Sequence, residues 1–137
     1  MNRDLGLWID HKQAYLIWSG KTKVDVIPSN LEPRARHPAG GTRIGGRYNQ
    51  RVDSELRYND RYNQRLQKFY SNVIAVMQNA DSIFIMGPGE AKRELEKAIE
   101  RRKSLRQRLV KVETADKMTV NQMIAYVKEF FTRRSEQ

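Results

Sequence analysis

The sequence contains no cysteine. That excludes disulfides and thiolate metal sites. Its two histidines, His11 and His37, do not stand at metal-ligand spacing and read as exposed loop residues. No apolar stretch approaches the roughly 20 residues of a membrane helix. After Met1-Asn2-Arg3-Asp4 the apolar run is too short for a signal peptide and Asp10 interrupts it, so a cytoplasmic protein away from membranes is expected. Glycine is sparse, and four of the eight (Gly40, Gly41, Gly45, Gly46) crowd into one stretch, as do three of the four prolines (Pro28, Pro33, Pro38). Acid is scarce: 16 acidic against 26 basic residues give a formal net charge of +10. Such an excess favours polyanionic partners, nucleic acid before membrane surface, although charge also serves solubility. A chain of 137 residues suits one domain with a real core.

What is present begins as three short β runs. Leu5-Gly6-Leu7-Trp8-Ile9 and Ala14-Tyr15-Leu16-Ile17-Trp18 flank the polar turn Asp10-His11-Lys12-Gln13. Ser19-Gly20-Lys21 turns into Thr22 to Ile27, where Val24 and Val26 share one face and Lys23 and Asp25 the other. Short polar turns predict an antiparallel meander, ended at Pro28, which cannot donate to a ladder. Residues 28 to 51 lack periodicity and read as a long, flexible, basic, Gly-rich loop. A helix is predicted from Val52 to Asn79, where Leu56, Tyr62, Leu66, Phe69, Tyr70, Val73 and Met77 recur at helical spacing and the second half carries the strong apolar stripe. Its polar first half is free to project from the body.

Ser82 to Met86 is a continuous apolar run, predicting a central strand buried on both faces. Gly87-Pro88-Gly89 turns into a helix over Glu90 to Lys103, and a fifth strand covers Arg108 to Val112. A last helix starts at Thr119, whose spacing to Gln122 is that of a capping box. The order βββαβαβα makes the fourth and fifth strands parallel neighbours. A mixed sheet with helices packed on it is the ribonuclease H-like pattern, an α/β fold in a single domain spanning 1–137.

No complete catalytic constellation is visible. A ribonuclease H-like nuclease needs carboxylates meeting at strand ends around two metal ions. Asp10 is well placed, and Glu55 or Asp60 on the long helix are conceivable partners, but the fourth strand ends at Met86-Gly87 without an acid. As a turn residue, Asp10 would bond its own backbone instead. Gly87-Pro88-Gly89-Glu90-Ala91-Lys92 lacks the Gly-Lys-Ser/Thr ending of a nucleotide loop and reads better as a strand-to-helix turn. No metal or cofactor is expected.

The basic arm, Arg34 to Arg65, holds eight arginines, no lysine and the acids Asp53, Glu55 and Asp60. Arginine's planar fork suits phosphate and stacks on bases. Tyr48, Tyr58 and Tyr62 are interleaved in the near-repeats Arg47-Tyr48-Asn49-Gln50-Arg51, Arg57-Tyr58-Asn59-Asp60-Arg61 and Arg61-Tyr62-Asn63-Gln64-Arg65. Together these groups neutralise phosphates, stack on bases and bond base edges. The candidate RNA-binding residues are Arg34, Arg36, Gly40, Gly41, Arg43, Gly45, Gly46, Arg47, Tyr48, Arg51, Arg57, Tyr58, Arg61 and Arg65. A solvated helix face, or a protein interface, would also use Arg and Tyr.

The order of these motifs resembles the middle domain of the eukaryotic and archaeal peptide-chain release factors and of Pelota. It is similar above all to small bacterial single-domain relatives described as translational machinery proteins. The resemblance rests on Leu7-Trp8-Ile9-Asp10-His11-Lys12-Gln13-Ala14, on Ala80 to Leu95 with Met86-Gly87-Pro88-Gly89 at its centre, and on Val112-Glu113-Thr114-Ala115-Asp116-Lys117-Met118-Thr119. In the release factors the loop carries Gly-Gly-Gln, whose Gln helps water attack the peptidyl-tRNA ester. Here Arg47 follows Gly45-Gly46 and Thr42 follows Gly40-Gly41, so neither pair has the Gln. The resemblance therefore implies translation-associated contact with ribosomal RNA or tRNA, possessing a loop shaped for an RNA-lined cavity but without the release chemistry. Two alternatives stand beside it: an enzyme acting on an RNA ester (a diverged peptidyl-tRNA hydrolase or a nuclease), and a self-associating interaction module.

Overall fold

The computed structural model describes residues 3–31 and 48–136, and the side chains of these apart from residues 48–58. Its strands are β1 (Asp4–Ile9), β2 (Gln13–Trp18), β3 (Val24–Pro28), β4 (Ser82–Gly87) and β5 (Leu109–Thr114). Its helices are α1 (Tyr48–Met77), α2 (Ala91–Glu100), α3 (Lys103–Arg106) and α4 (Val120–Ser135). The strands form one mixed sheet in the order β3-β2-β1-β4-β5. β1, β2 and β3 pair antiparallel, Leu7 facing Leu16 and Tyr15 facing Val26. β4 runs parallel to both β1 and β5, with Leu7 beside Ile85 and Ile85 beside Val112. The meander and the parallel pair thus follow from turn length and helical crossover as the sequence predicts.

Two cores sandwich the sheet. On one face, Leu5, Leu7, Ile9, Leu16, Ile83 and Ile85 meet Leu66, Phe69, Tyr70, Val73, Ile74 and Met77 of α1 and Leu95 and Ile99 of α2. On the other, Trp8, Ile17, Phe84 and Met86 meet Met123, Val127 and Phe131 of α4. The alternation of Leu7, Trp8 and Ile9 between faces is the period-2 geometry of a strand buried on both sides. Phe84 stacks on Phe130 with centroids 4.0 Å apart. The capping box forms: Gln122 N donates to Thr119 Oγ1 and Thr119 N to Gln122 Oε1.

Several expectations need correction, among them the fifth strand, which runs over Leu109–Thr114 rather than Arg108 to Val112. α1 begins at Tyr48 rather than Val52, because past Gly46 no breaker opposes the helix; Tyr48 to Arg51, expected in the loop, are helical. α2 ends at Glu100 rather than Lys103: Arg102 turns extended (φ −115°, ψ 98°) and a separate single-turn α3 follows, letting Leu105 reach the core. β3 starts at Val24 rather than Thr22, and Val26 is 48% exposed, since β3 is an edge strand. His11 lies in the turn between β1 and β2 as expected but is only half-exposed, its ring held against Glu94, as described below. Among the described residues no helix is long and apolar enough to cross a membrane.

Candidate nucleic-acid interface

The arm is rooted at the carboxyl end of β1. β3 ends at Pro28, which faces Gln13, one residue before the Ala14 that faces Ile9. Ser29, buried, donates its N–H to Lys12 O at 2.9 Å and accepts from Leu31 N through its hydroxyl at 3.3 Å. Asn30 takes the left-handed conformation (φ 55°), suited to its short amide, and Leu31 packs on the core. The chain thus leaves the sheet through a fixed, hydrogen-bonded exit. Arg34, Arg36, Gly40, Gly41, Arg43, Gly45, Gly46 and Arg47 lie outside the described residues. Tyr48, Arg51, Arg57 and Tyr58 lie on α1, with side chains outside the description.

The described part of the arm is the helix from Asn59 to Arg65. Arg61 and Arg65 are exposed and one turn apart, so the structure places them on the same side of the helix. Tyr62 is half-buried against the core, so it serves packing at least in part and is not a freely presented ring. By Leu66 the helix is fully engaged with the sheet. At 1.5 Å per residue, Tyr48 to Arg61 is about 20 Å of helix preceding that engagement.

A polar cluster borders the arm's root. Glu94 on α2 accepts from the Tyr70 hydroxyl of α1 at 2.5 Å, and His11 Nε2, on the β1–β2 turn, lies 2.8 Å from the same oxygen. A carboxylate only accepts, so the imidazole presents Nε2–H to it. Burial first, and then the Glu94 hydrogen bond and charge, push the Tyr70 hydroxyl well above the ordinary tyrosine range. The cluster joins α1, α2 and the turn at the sheet's end. No local pattern signals it: His11, Tyr70 and Glu94 are far apart along the chain, and only the crossover of α1 and the turn into α2 bring them together.

Asp10 is engaged as a turn residue. Its Oδ1 accepts from Lys12 N at 2.8 Å and Gln13 N at 2.9 Å. Asp60 is exposed on α1, and Glu55 lies among the side chains outside the description. Among the described residues no three His, Asp or Glu side chains gather in a metal-binding group. The Gly87-Pro88-Gly89 turn is set by packing: a Cβ on Gly87 would stand 2.1 Å from Ile9 O, and Gly89 has φ +101°. Lys92, buried, donates to Gly89 O at 2.5 Å and closes the turn from within. These contacts account for both glycines and the lysine without a phosphate.

No protein-family model matches the chain, and no curated protein matches it. Among solved structures it is similar to an archaeal translation termination factor, with 13% identity and a TM-score of 0.39. That match covers 98% of this chain, which spans 41% of the termination factor's length. Values this low establish neither family nor activity.

Proposed function

We propose that this chain is a translation-associated RNA-binding protein that contacts ribosomal RNA or tRNA through its basic arm, without catalysis, in the cytoplasm. The observation that carries the reading is the concentration of eight arginines, and no lysine, in the single connection between β3 and the packed part of α1. Arginine forks hold phosphate oxygens in pairs, and the interleaved tyrosines supply stacking faces. The resemblance of the sequence motifs to the release-factor middle domain supports the same assignment, and we read the mixed sheet, in the order β3-β2-β1-β4-β5, as ribonuclease H-like. The missing Gln after either Gly-Gly pair argues that the loop occupies an RNA site rather than reacting in it. The contact residues are Arg34, Arg36, Gly40, Gly41, Arg43, Gly45, Gly46, Arg47, Tyr48, Arg51, Arg57, Tyr58, Arg61 and Arg65, the glycines permitting close backbone approach.

Ribosome pelleting across a salt series tests this, comparing the intact chain with one carrying Arg34, Arg36, Arg43, Arg47 and Arg51 as Ser. Substitution rather than deletion keeps the connection to α1 intact. The intact chain should sediment with ribosomes and be released as salt rises, and the variant should be released at lower salt. Salt-insensitive or absent association of the intact chain would refute the reading.

A further inference from the structure

The arm does not hold all of the chain's unbalanced charge. From Lys97 to Lys111 the sequence carries seven lysines and arginines against one acid, Glu100. This stretch spans the end of α2, all of α3 and the start of β5. Two of its arginines have structural work: Arg108 donates to Gln78 O and Ala80 O, tying the start of β5 to the turn before β4, and Arg102 donates to Ala98 O. Arg101, Lys103 and Arg106 form no side-chain hydrogen bond or ion pair among the described residues, and all three, like Arg102, are exposed. Cations in the last turn of a helix answer its dipole, which accounts for Lys97 and extends to Arg101. Lys103 and Arg106 lie past a backbone break on the separate four-residue α3, which is too short to carry a strong dipole of its own.

That turn is held firmly. Leu105, fully buried, fixes its centre, and Leu105 N and Arg106 N donate to Arg102 O at 3.1 and 2.9 Å. Four exposed cationic residues therefore stand within six positions around a buried leucine on a short ledge, where their like charges repel. The ledge stands at the opposite end of the sheet from the arm. β5 starts at Leu109 beside Ile83, at the amino end of β4, whereas the arm leaves beside the carboxyl end of β1, which runs parallel to β4. A six-residue strand separates the two ends by about 20 Å.

We propose that Arg101, Arg102, Lys103 and Arg106 form a second RNA-backbone contact, independent of the arm, so that the protein bridges two phosphate runs across the length of its sheet. The identity of the polyanion rests on the RNA reading above; the surface itself does not. Arginine forks and a lysine on a rigid ledge position a backbone without reading bases. The arm adds its own contacts at the other end.

The test measures binding of the full chain to uridine homopolymer RNA of about 20 nucleotides by fluorescence anisotropy across a salt series, because weak stacking there leaves backbone contacts dominant. One variant carries Arg101, Arg102, Lys103 and Arg106 as Ser; another carries the five-arginine arm substitution; a third carries both. Circular dichroism and denaturant titration confirm folding, and Lys103→Gln with Arg106→Gln serves if the fourfold variant is unstable. Each lost phosphate contact reduces the slope of log K against log salt by about 0.7 on single strands. The ledge variant should lose a slope of about 2 to 3, the paired-Gln variant about half that, and the combined variant should lose the sum of the ledge and arm losses, keeping only the slope of Arg57, Arg61 and Arg65. An unchanged slope in the ledge variant overturns the proposal, as does binding to phosphatidylserine vesicles with none to RNA. Loss of slope in the ledge variant with none in the arm variant would instead uphold the ledge and refute the arm.

Discussion

Along α1, two halves of one helix are stabilised by different means. From Leu66 to Met77, six side chains (Leu66, Phe69, Tyr70, Val73, Ile74 and Met77) are buried against the sheet. From Asn59 to Arg65, Tyr62 alone is half-buried and its neighbours are exposed. A helix in water is marginal without a packed face, so the second half draws its stability from tertiary burial and the first half continues a helix already nucleated there. The packed half thus serves as the foundation from which the largely solvent-exposed polar half extends.

Breaking the foundation should have the largest effect. Phe69→Ala, at a site 2% exposed, should cost about 3–5 kcal/mol in denaturant unfolding. A loss under about 1 kcal/mol would mean that the packed half does not carry the fold.

Within the packed half, Tyr70→Phe removes the hydroxyl that donates to Glu94 and should cost about 1 kcal/mol at neutral pH. The same substitution sharpens the comparison through pH. Tyr70's folded pKa is raised above its unfolded value, so its contribution is fully present below about pH 10 and is lost as pH rises toward the folded pKa. Between pH 9 and 11 the intact protein should lose more stability than the Phe variant. Equal losses, followed by thermal unfolding, would show that the hydroxyl does not titrate as its burial requires. Thr119→Ala, which removes the α4 capping box away from this hydrogen bond, should cost a similar ~1 kcal/mol with no added alkaline sensitivity.

The polar half should respond least in stability and more in binding. Arg61→Ala should change unfolding by no more than about 0.5 kcal/mol while weakening RNA binding and lowering its salt slope by about 0.7. A large stability loss without change in binding would reverse the roles of the two halves.

Much of the fold was legible because it is written in short periods. Leu7-Trp8-Ile9 alternates, Ser82 to Met86 is continuously apolar, and Thr119 stands three residues before Gln122. Each pattern predicts a strand or a cap by local geometry alone. Boundaries were less legible: nothing local marks Arg102 as the break between α2 and α3, because the break exists to let Leu105 reach the core. Of the candidate interface, the charge and the Arg-Tyr spacing were visible, but the division of labour was not. Tyr62 stands both in the helix's apolar spacing and in the Arg-Tyr repeats, and packing sets it against the core; Asp10 reads as turn residue or ligand, and its carboxylate holds the turn.

By itself the sequence determined the α/β class, the antiparallel meander, the parallel β4–β5 pair and the arginine-rich connection, since composition and periodicity act over a few residues. Tertiary structure alone decided which charges share an end of the molecule. The parallel registry of β1 with β4 sets the arm's root at one end and α3 at the other, and the crossover of α1 brings Tyr70 to Glu94 and His11. Contacts between residues this far apart depend on how whole elements pack, and no local pattern encodes that.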